Sequence, residues 1–208
     1  VLKKRRKEAA ASKLDKVYRN NIRQRIEKKE KGFPMSYTII PTTEEYIDGF
    51  WVALDNVARE RQYLSFLEAP PLEKCYNFVR ENIKKGSFHF LALVDDKVVG
   101  WCDVMRIDRP LHAHCGTLGI GVVKEYRGQG IGAALIQTTL EKTQSSGLTR
   151  VELTVREKNT RALELYKKFG FCVEGVKRNG VRVDGVYENL ICMGLLLKEP
   201  NVKNKSHY

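Results

Sequence analysis

Six glycines crowd the stretch from Gly116 to Gly132, and they constrain this chain more than any other feature. Three of them, Gly116, Gly119 and Gly121, interrupt the strand-like run GTLGIGVV, which predicts a bulge or the close approach of another backbone. The other three, Gly128, Gly130 and Gly132, alternate after Arg127 and open an apolar helical run, RGQGIGAAL. The first turn of a helix leaves N–H groups unpaired and carries about half a positive charge, so it stabilises an anion. Glycine lets that anion come within hydrogen-bonding distance of the backbone. Such a strand–loop–helix belongs in an α/β architecture and suits a phosphate-bearing ligand. A dinucleotide, a nucleoside triphosphate and coenzyme A all qualify.

Charge does not choose among them. The 208 residues carry a formal net charge of +12, but residues 1–34 alone hold 13 Lys and Arg against 4 Asp and Glu. The basic character therefore belongs to a leader and not to the rest of the chain. Its stripe Leu14, Val17, Tyr18, Ile22 and Ile26 predicts a thinly amphipathic helix. A solvated extension is the plain expectation, and an arm that touches RNA, a membrane surface or a second subunit is the functional one. Because residue 1 is not Met and Met35 opens a strand-like MSYTII, the leader also reads as an alternative start or a non-native addition. Gly32 and Pro34 mark its end, residues 35–197 form one domain, and 198–208 form a flexible tail. No apolar run reaches the roughly 18 residues of a membrane span, and the five scattered cysteines form no C-x-x-C pair. These features predict a cytoplasmic protein without a disulfide framework or a metal site.

The remaining pattern reads β-α-α-β-β-β-α-β-α-β-β, a mixed and mostly antiparallel sheet with helices on both faces. Tyr37–Ile40 is a strand. Thr42 with Glu45 has the spacing of a capping box, ahead of a helix that turns Ile47, Phe50, Trp51, Leu54 and Val57 inward. Pro70 and Pro71 start a second helix with Leu72, Cys75, Val79 and Ile83 inward. FHFLALVDDKVVGWCDVMRI predicts two strands about an Asp95–Asp96 turn, and RVELTV a strand after the glycine-led helix. The C-terminal hairpin has two possible turns, Asn179-Gly180 and Asp184-Gly185.

Gly128-x-Gly130-x-x-Ala133 matches the dinucleotide fingerprint, with Glu152 near the expected position of a ribose-binding acid. However, Lys124 to Arg127 separate the apolar strand from the first glycine, and Glu152 starts its strand instead of ending it. An NAD(P)-dependent oxidoreductase is thus the weaker reading, and a P-loop lacks its Gly-Lys-Ser/Thr. A second motif follows, Asn159-x-x-Ala162-x-x-Leu165-Tyr166-x-x-x-Gly170-Phe171. Together with Arg127-x-x-Gly130-x-Gly132, it resembles the GNAT superfamily of acyl-CoA-dependent N-acyltransferases, over roughly residues 35–197 and most strongly over 116–171. The arrangement is further similar to the small bacterial branch acting on amino acids, other small amines or protein N-termini.

That resemblance implies acetyl-CoA as cosubstrate, a primary amine as acceptor, and direct transfer in a ternary complex without metal. Arg127, Gly128, Gln129, Gly130, Ile131 and Gly132 would hold the pyrophosphate, and Asn159 would cap its helix and face the cofactor. Backbone groups of Ile120 and Val122 would bond the pantetheine arm as an added strand does, with an N–H near Val122 serving the oxyanion. Tyr166 would protonate the departing thiolate. Deprotonating a lysine-like amine at pH 7 costs roughly 4.6 kcal/mol and an α-amino group about 1 kcal/mol, so the former needs a base. The glycine-rich strand carries no carboxylate, where many members of the superfamily do. His114 and Glu152 are the base candidates that the sequence offers. Glu60, Tyr63 and Tyr187 are the expected acceptor contacts, beside Glu68, Asp184 and Glu188. A homodimer is compatible with this reading, as is a silent CoA-binding or RNA-docking protein that acts through the basic leader.

Overall fold

The computed structural model describes residues 36–86 and 88–197. The expected leader helix, the strand start at Met35 and the tail 198–208 lie outside the described residues. In chain order the elements are β1 (Thr38–Pro41), α1 (Ile47–Arg59), α2 (Leu72–Lys84), β2 (Phe88–Val94), β3 (Lys97–Arg106), β4 (Cys115–Val122), α3 (Ile131–Gln144), β5 (Arg150–Arg156), α4 (Thr160–Lys168), β6 (Cys172–Val183) and β7 (Val186–Leu196). The strands form one sheet in the order β1-β2-β3-β4-β5-β7-β6. Every pairing is antiparallel except β4 with β5, so the sheet is mixed as its sequence predicts.

The β4–β5 pairing places the site. It extends only from Cys115↔Arg150 to Thr117↔Glu152, whereas β5 stays paired with β7 as far as Arg156. From Leu118 onward the two strands diverge and leave the β5-facing edge of β4 without a ladder partner. The glycines of β4 have a second task. Gly121 lies opposite Trp101 of β3, and a Cβ at 121 would fall 2.2 Å from the Trp101 Cη2 atom. Gly119 lies opposite Asp103, whose two carboxylate oxygens would be 3.1 Å from a Cβ there. Close approach is thus required as predicted, but by side chains of the neighbouring strand.

One face of the sheet packs under α1 and α2, where Ile47, Phe50, Leu54, Val57, Cys75, Val79, Leu91, Leu93 and Trp101 bury a common cluster. Local expectations fail in two places, and the structure chooses between the two turns that the hairpin offered. Thr42 makes no capping box: residues 44–46 form a short 3₁₀ turn, α1 begins at Ile47, and the buried Thr42 Oγ1 has no hydrogen-bond partner among the described residues. The buried face of α2 is Cys75, Val79 and Asn82, leaving Leu72 and Ile83 exposed. The β6–β7 turn is Asp184-Gly185, both with positive φ, while Asn179, also left-handed, sits in a bulge of β6.

Candidate functional site

Two spaces meet above the diverging ends of β4 and β5. The outer cleft, about 730 Å³, runs along the glycine loop between β4 and α4. The inner cavity, about 440 Å³, lies beneath α1, α2 and the loop 60–71. Tyr63, Ile120, Asn159 and Tyr166 line both.

The cleft is built around the start of α3. Gly128 and Gly130 adopt φ of +82° and +83°, a left-handed conformation that favours glycine, and no side chain caps the helix at Gly130. Its first-turn N–H groups are therefore available to an anion. Lys124, Arg161 and Lys168 add positive charge along the wall. Gly132 faces Leu165 of α4. Gln129 turns back instead, donating from Nε2 to the Glu125 carbonyl at 3.2 Å, and Ile131 is buried in the core.

Arg127, which the sequence places among the pyrophosphate contacts, lines the same cleft and also holds protein partners of its own. Its Nε donates to the Val122 carbonyl at 2.8 Å, its Nη1 donates to Glu60 Oε2 at 2.8 Å, and its Nη2 pairs with the other Glu60 oxygen. Its guanidinium carbon also lies 4.6 Å from the centre of the Tyr63 ring. Glu60 is accordingly committed to Arg127 and does not line the inner cavity. The fork fixes the loop 60–71 to the glycine loop, as bidentate geometry does better than a lysine point charge.

Asn159 caps α4, its Oδ1 accepting from the Ala162 N–H at 3.2 Å. This places Tyr166 two turns on, buried against Phe171. Burial, with a smaller contribution from nearby Cys102, pushes the Tyr166 phenol above its ordinary range, so it remains a proton donor at neutral pH.

Neither base candidate reaches this junction. His114 is an exposed residue before β4, at the strand end far from the glycine loop, where its carbonyl accepts from Thr149 and Arg150. Glu152 stands where β4 and β5 are still paired, 3.5 Å from the Arg150 guanidinium, and lines neither space. Tyr187 is exposed on the hairpin, stacked with Arg182, and it too is outside both spaces. Glu68 pairs with Arg59, Asp184 with Arg61, and Glu188 with Arg156.

What lines the inner cavity is mostly aromatic and aliphatic: Phe50, Leu54, Phe66, Phe78, Trp101 and Leu118 among others. The charged groups in its wall are Lys74, Arg156 and Asp103. Sequence reasoning overlooks Asp103, although a lone carboxylate inside the apolar strand KVVGWCDVMR was a visible signal. Burial pushes its carboxyl up to about 7.

Comparison with known proteins agrees with this architecture. The model of the Acetyltransferase (GNAT) family matches residues 38–171. The L-amino acid N-acetyltransferase AaaT of Escherichia coli is 33% identical over 110 residues, which are 50% of this chain and 68% of that protein. N-alpha-acetyltransferase 30 of Schizosaccharomyces pombe is 36% identical over 89 residues, covering 41% of this chain and 57% of the relative. A crystal structure of a GNAT-family acetyltransferase from Streptococcus pneumoniae superposes with a TM-score of 0.74 at 26% identity, over 78% of this chain and 100% of that one. The uncapped helix behind a glycine loop, the splayed strand and the tyrosine between two spaces thus stand in a chain that belongs to the GNAT family of acetyl-CoA-dependent N-acetyltransferases.

Proposed function

We propose that the chain moves an acetyl group directly from acetyl-CoA in the outer cleft to a primary amine carried on a largely apolar group in the inner cavity. The observation that carries this reading is the shared wall of the two spaces at Tyr63, Ile120, Asn159 and Tyr166. A thioester entering from one side and an amine entering from the other would meet there, which is the proximity such a transfer needs. The start of α3 and the cations Lys124, Arg161 and Lys168 suit the CoA phosphates, and the unpaired edge of β4 suits the pantetheine arm. Acetyl-CoA supplies the activated carbonyl, and Tyr166 supplies the proton to the leaving sulfur.

Cys75 is the cysteine in the cavity wall, and burial pushes its thiol up to about 11. Such a thiol is protonated at neutral pH and a poor nucleophile, which favours transfer without an acetyl-cysteine.

The cavity also bears on the acceptor. A polyamine or aminoglycoside would bring several cations, and each would need a carboxylate to be buried without loss. The wall provides one, Asp103, amid aromatic and aliphatic surface. A single amine on a carrier of amino-acid size fits better. Lys74 at the exposed side has no ion-pair partner among the described residues and could meet an α-carboxylate; the relative named above is an L-amino acid N-acetyltransferase.

Free-thiol release from acetyl-CoA tests this reading, with L-phenylalanine, L-leucine, their N-terminal peptides and spermidine as acceptors. The apolar acceptors should exceed spermidine by at least about 10-fold in kcat/KM. A preference for spermidine would overturn the acceptor assignment.

A further inference from the structure

We infer that Asp103 receives the acceptor's ammonium group and takes its proton before attack. This inference rests on the function proposed above and supplies a base for its chemistry. Asp103 is the carboxylate in the wall of the inner cavity, on the strand next to β4. Gly119 opposite it leaves room that a Cβ would fill, since that atom would lie 3.1 Å from both carboxylate oxygens. Trp101, two residues earlier on the same face, occupies the equivalent space over Gly121 and forms the apolar wall beside it. The glycines of β4 thus permit one carboxylate and one indole to project across from β3.

Asp103 is nearly buried, and its side chain has no hydrogen-bond or ion-pair partner among the described residues. Buried carboxylates are ordinarily paired, so an unpaired one facing a cavity is suited to a cationic visitor. Its cross-strand neighbour on β2 is His89, whose two ring nitrogens are also buried without partners among the described residues. Burial holds His89 at about 4, neutral at physiological pH, so it does not neutralise the carboxylate. The other titratable groups of the cavity wall are Lys74 and Cys75 from α2, Tyr63 from the loop, Arg156 from β5 and Tyr166 from α4. Arg156 is already paired with Glu188, at 2.6 and 2.9 Å, and Lys74 is exposed. Burial alone raises the Asp103 carboxyl to about 7, a value matched to proton transfer near neutral pH.

The proton and electron movements close. The ammonium gives one proton to Asp103, freeing the nitrogen lone pair. That pair forms the N–C bond at the thioester carbonyl and the C–S bond breaks. The departing sulfur takes the Tyr166 proton, and the Tyr166 oxygen regains one from the nitrogen that has become an amide. Amide and free thiol result, and Asp103 returns its proton to water.

The test compares wild type and Asp103→Asn on phenethylamine and on β,β-difluorophenethylamine. The two amines share a carrier, but the fluorines leave far more of the second neutral at pH 7. A base matters only for the charged amine. D103N should therefore lower kcat/KM for phenethylamine by about 10²-fold or more and for the fluorinated amine by much less. Acetyl-CoA binding should be retained. A wild-type profile for phenethylamine that rises to a plateau above about pH 7, instead of climbing steadily with the neutral amine, is a second readout that needs no variant. Equal losses with both amines, no loss with either, or a flat wild-type profile from pH 5.5 to 8.5 would overturn the role of Asp103. Wild type silent with both amines and with L-phenylalanine would instead overturn the apolar-acceptor reading on which it rests; activity with L-phenylalanine alone moves the same D103N and pH comparison to that acceptor, where no loss would overturn the role of Asp103.

Discussion

At the scale of single residues, the balance of burial against charge is sharpest at Asp103 and His89. The Asp103 carboxyl titrates near 7 in the fold against 3.8 when exposed. Between those values the folded chain keeps a proton that the unfolded chain has lost, so stability falls as pH rises through this window. His89 titrates near 4 in the fold against 6.5 when exposed. Here the unfolded chain gains the proton first, so stability falls as pH drops from 6.5 towards 4. The two slopes oppose each other between about pH 4 and 6.5. Asp103→Asn should therefore be more stable than wild type at pH 8, by up to about 4 kcal/mol, and should lose stability below pH 6.5 more steeply. Thermal unfolding at pH 8 and pH 5 measures both effects. A variant that gains stability while losing turnover is what a functional buried charge predicts. Gly121→Ala acts the other way: its Cβ would press on Trp101, and a cost of about 1–3 kcal/mol should appear as a lowered Tm with Trp101 displaced.

At the scale of elements, the Arg127 fork makes the glycine loop and the loop 60–71 one mechanical unit. Further ties hold that second loop: Trp51 Nε1 donates to the Pro70 carbonyl at 2.7 Å, Asp55 accepts from the Ala69 N–H at 2.9 Å, and Arg156 Nη1 donates to the Arg61 carbonyl at 2.7 Å. Arg127→Lys keeps the charge but loses the fork. It should raise KM for acetyl-CoA and for the amine together, each by about 5- to 50-fold, corresponding to about 1–2 kcal/mol, with little change in kcat. Two-substrate kinetics resolves the two constants, and a rise confined to acetyl-CoA would show that the tie has no role in acceptor binding. Elements with a strong local signal were legible in sequence. The paired aspartates at 95 and 96 both adopt positive φ and make the β2–β3 turn, and Asn159 caps α4. Elements decided by tertiary packing were not. The second helix buries Asn82 rather than Ile83, which periodicity alone does not foresee. Thr42 spends its backbone N–H on the His89 carbonyl, binding the chain to β2 and not to a helix start.

At the scale of the whole molecule, the lining of the outer cleft, where we propose acetyl-CoA sits, is legible in sequence because it is largely contiguous. Arg127 to Gly132 and Asn159 to Tyr166 are each a few residues long, and their backbone requirements are written as glycines and a cap. The inner cavity, proposed here for the acceptor, draws on α1, α2, β3, β4, β5 and the loop between the first two helices. No local pattern connects Phe50, Lys74, Asp103 and Arg156, which meet only once the sheet and helices assemble. Tyr166 lines both spaces. Tyr166→Phe should lower kcat by about 10²-fold or more while leaving acetyl-CoA binding intact, as read by single-turnover thiol release.

Two spaces that meet at Tyr166 would hold both substrates at once. Initial rates over a matrix of acetyl-CoA and phenethylamine concentrations test it most directly. The double-reciprocal lines should intersect, the signature of a ternary complex. Parallel lines, with a stable acetyl-enzyme formed before the amine enters, would contradict it.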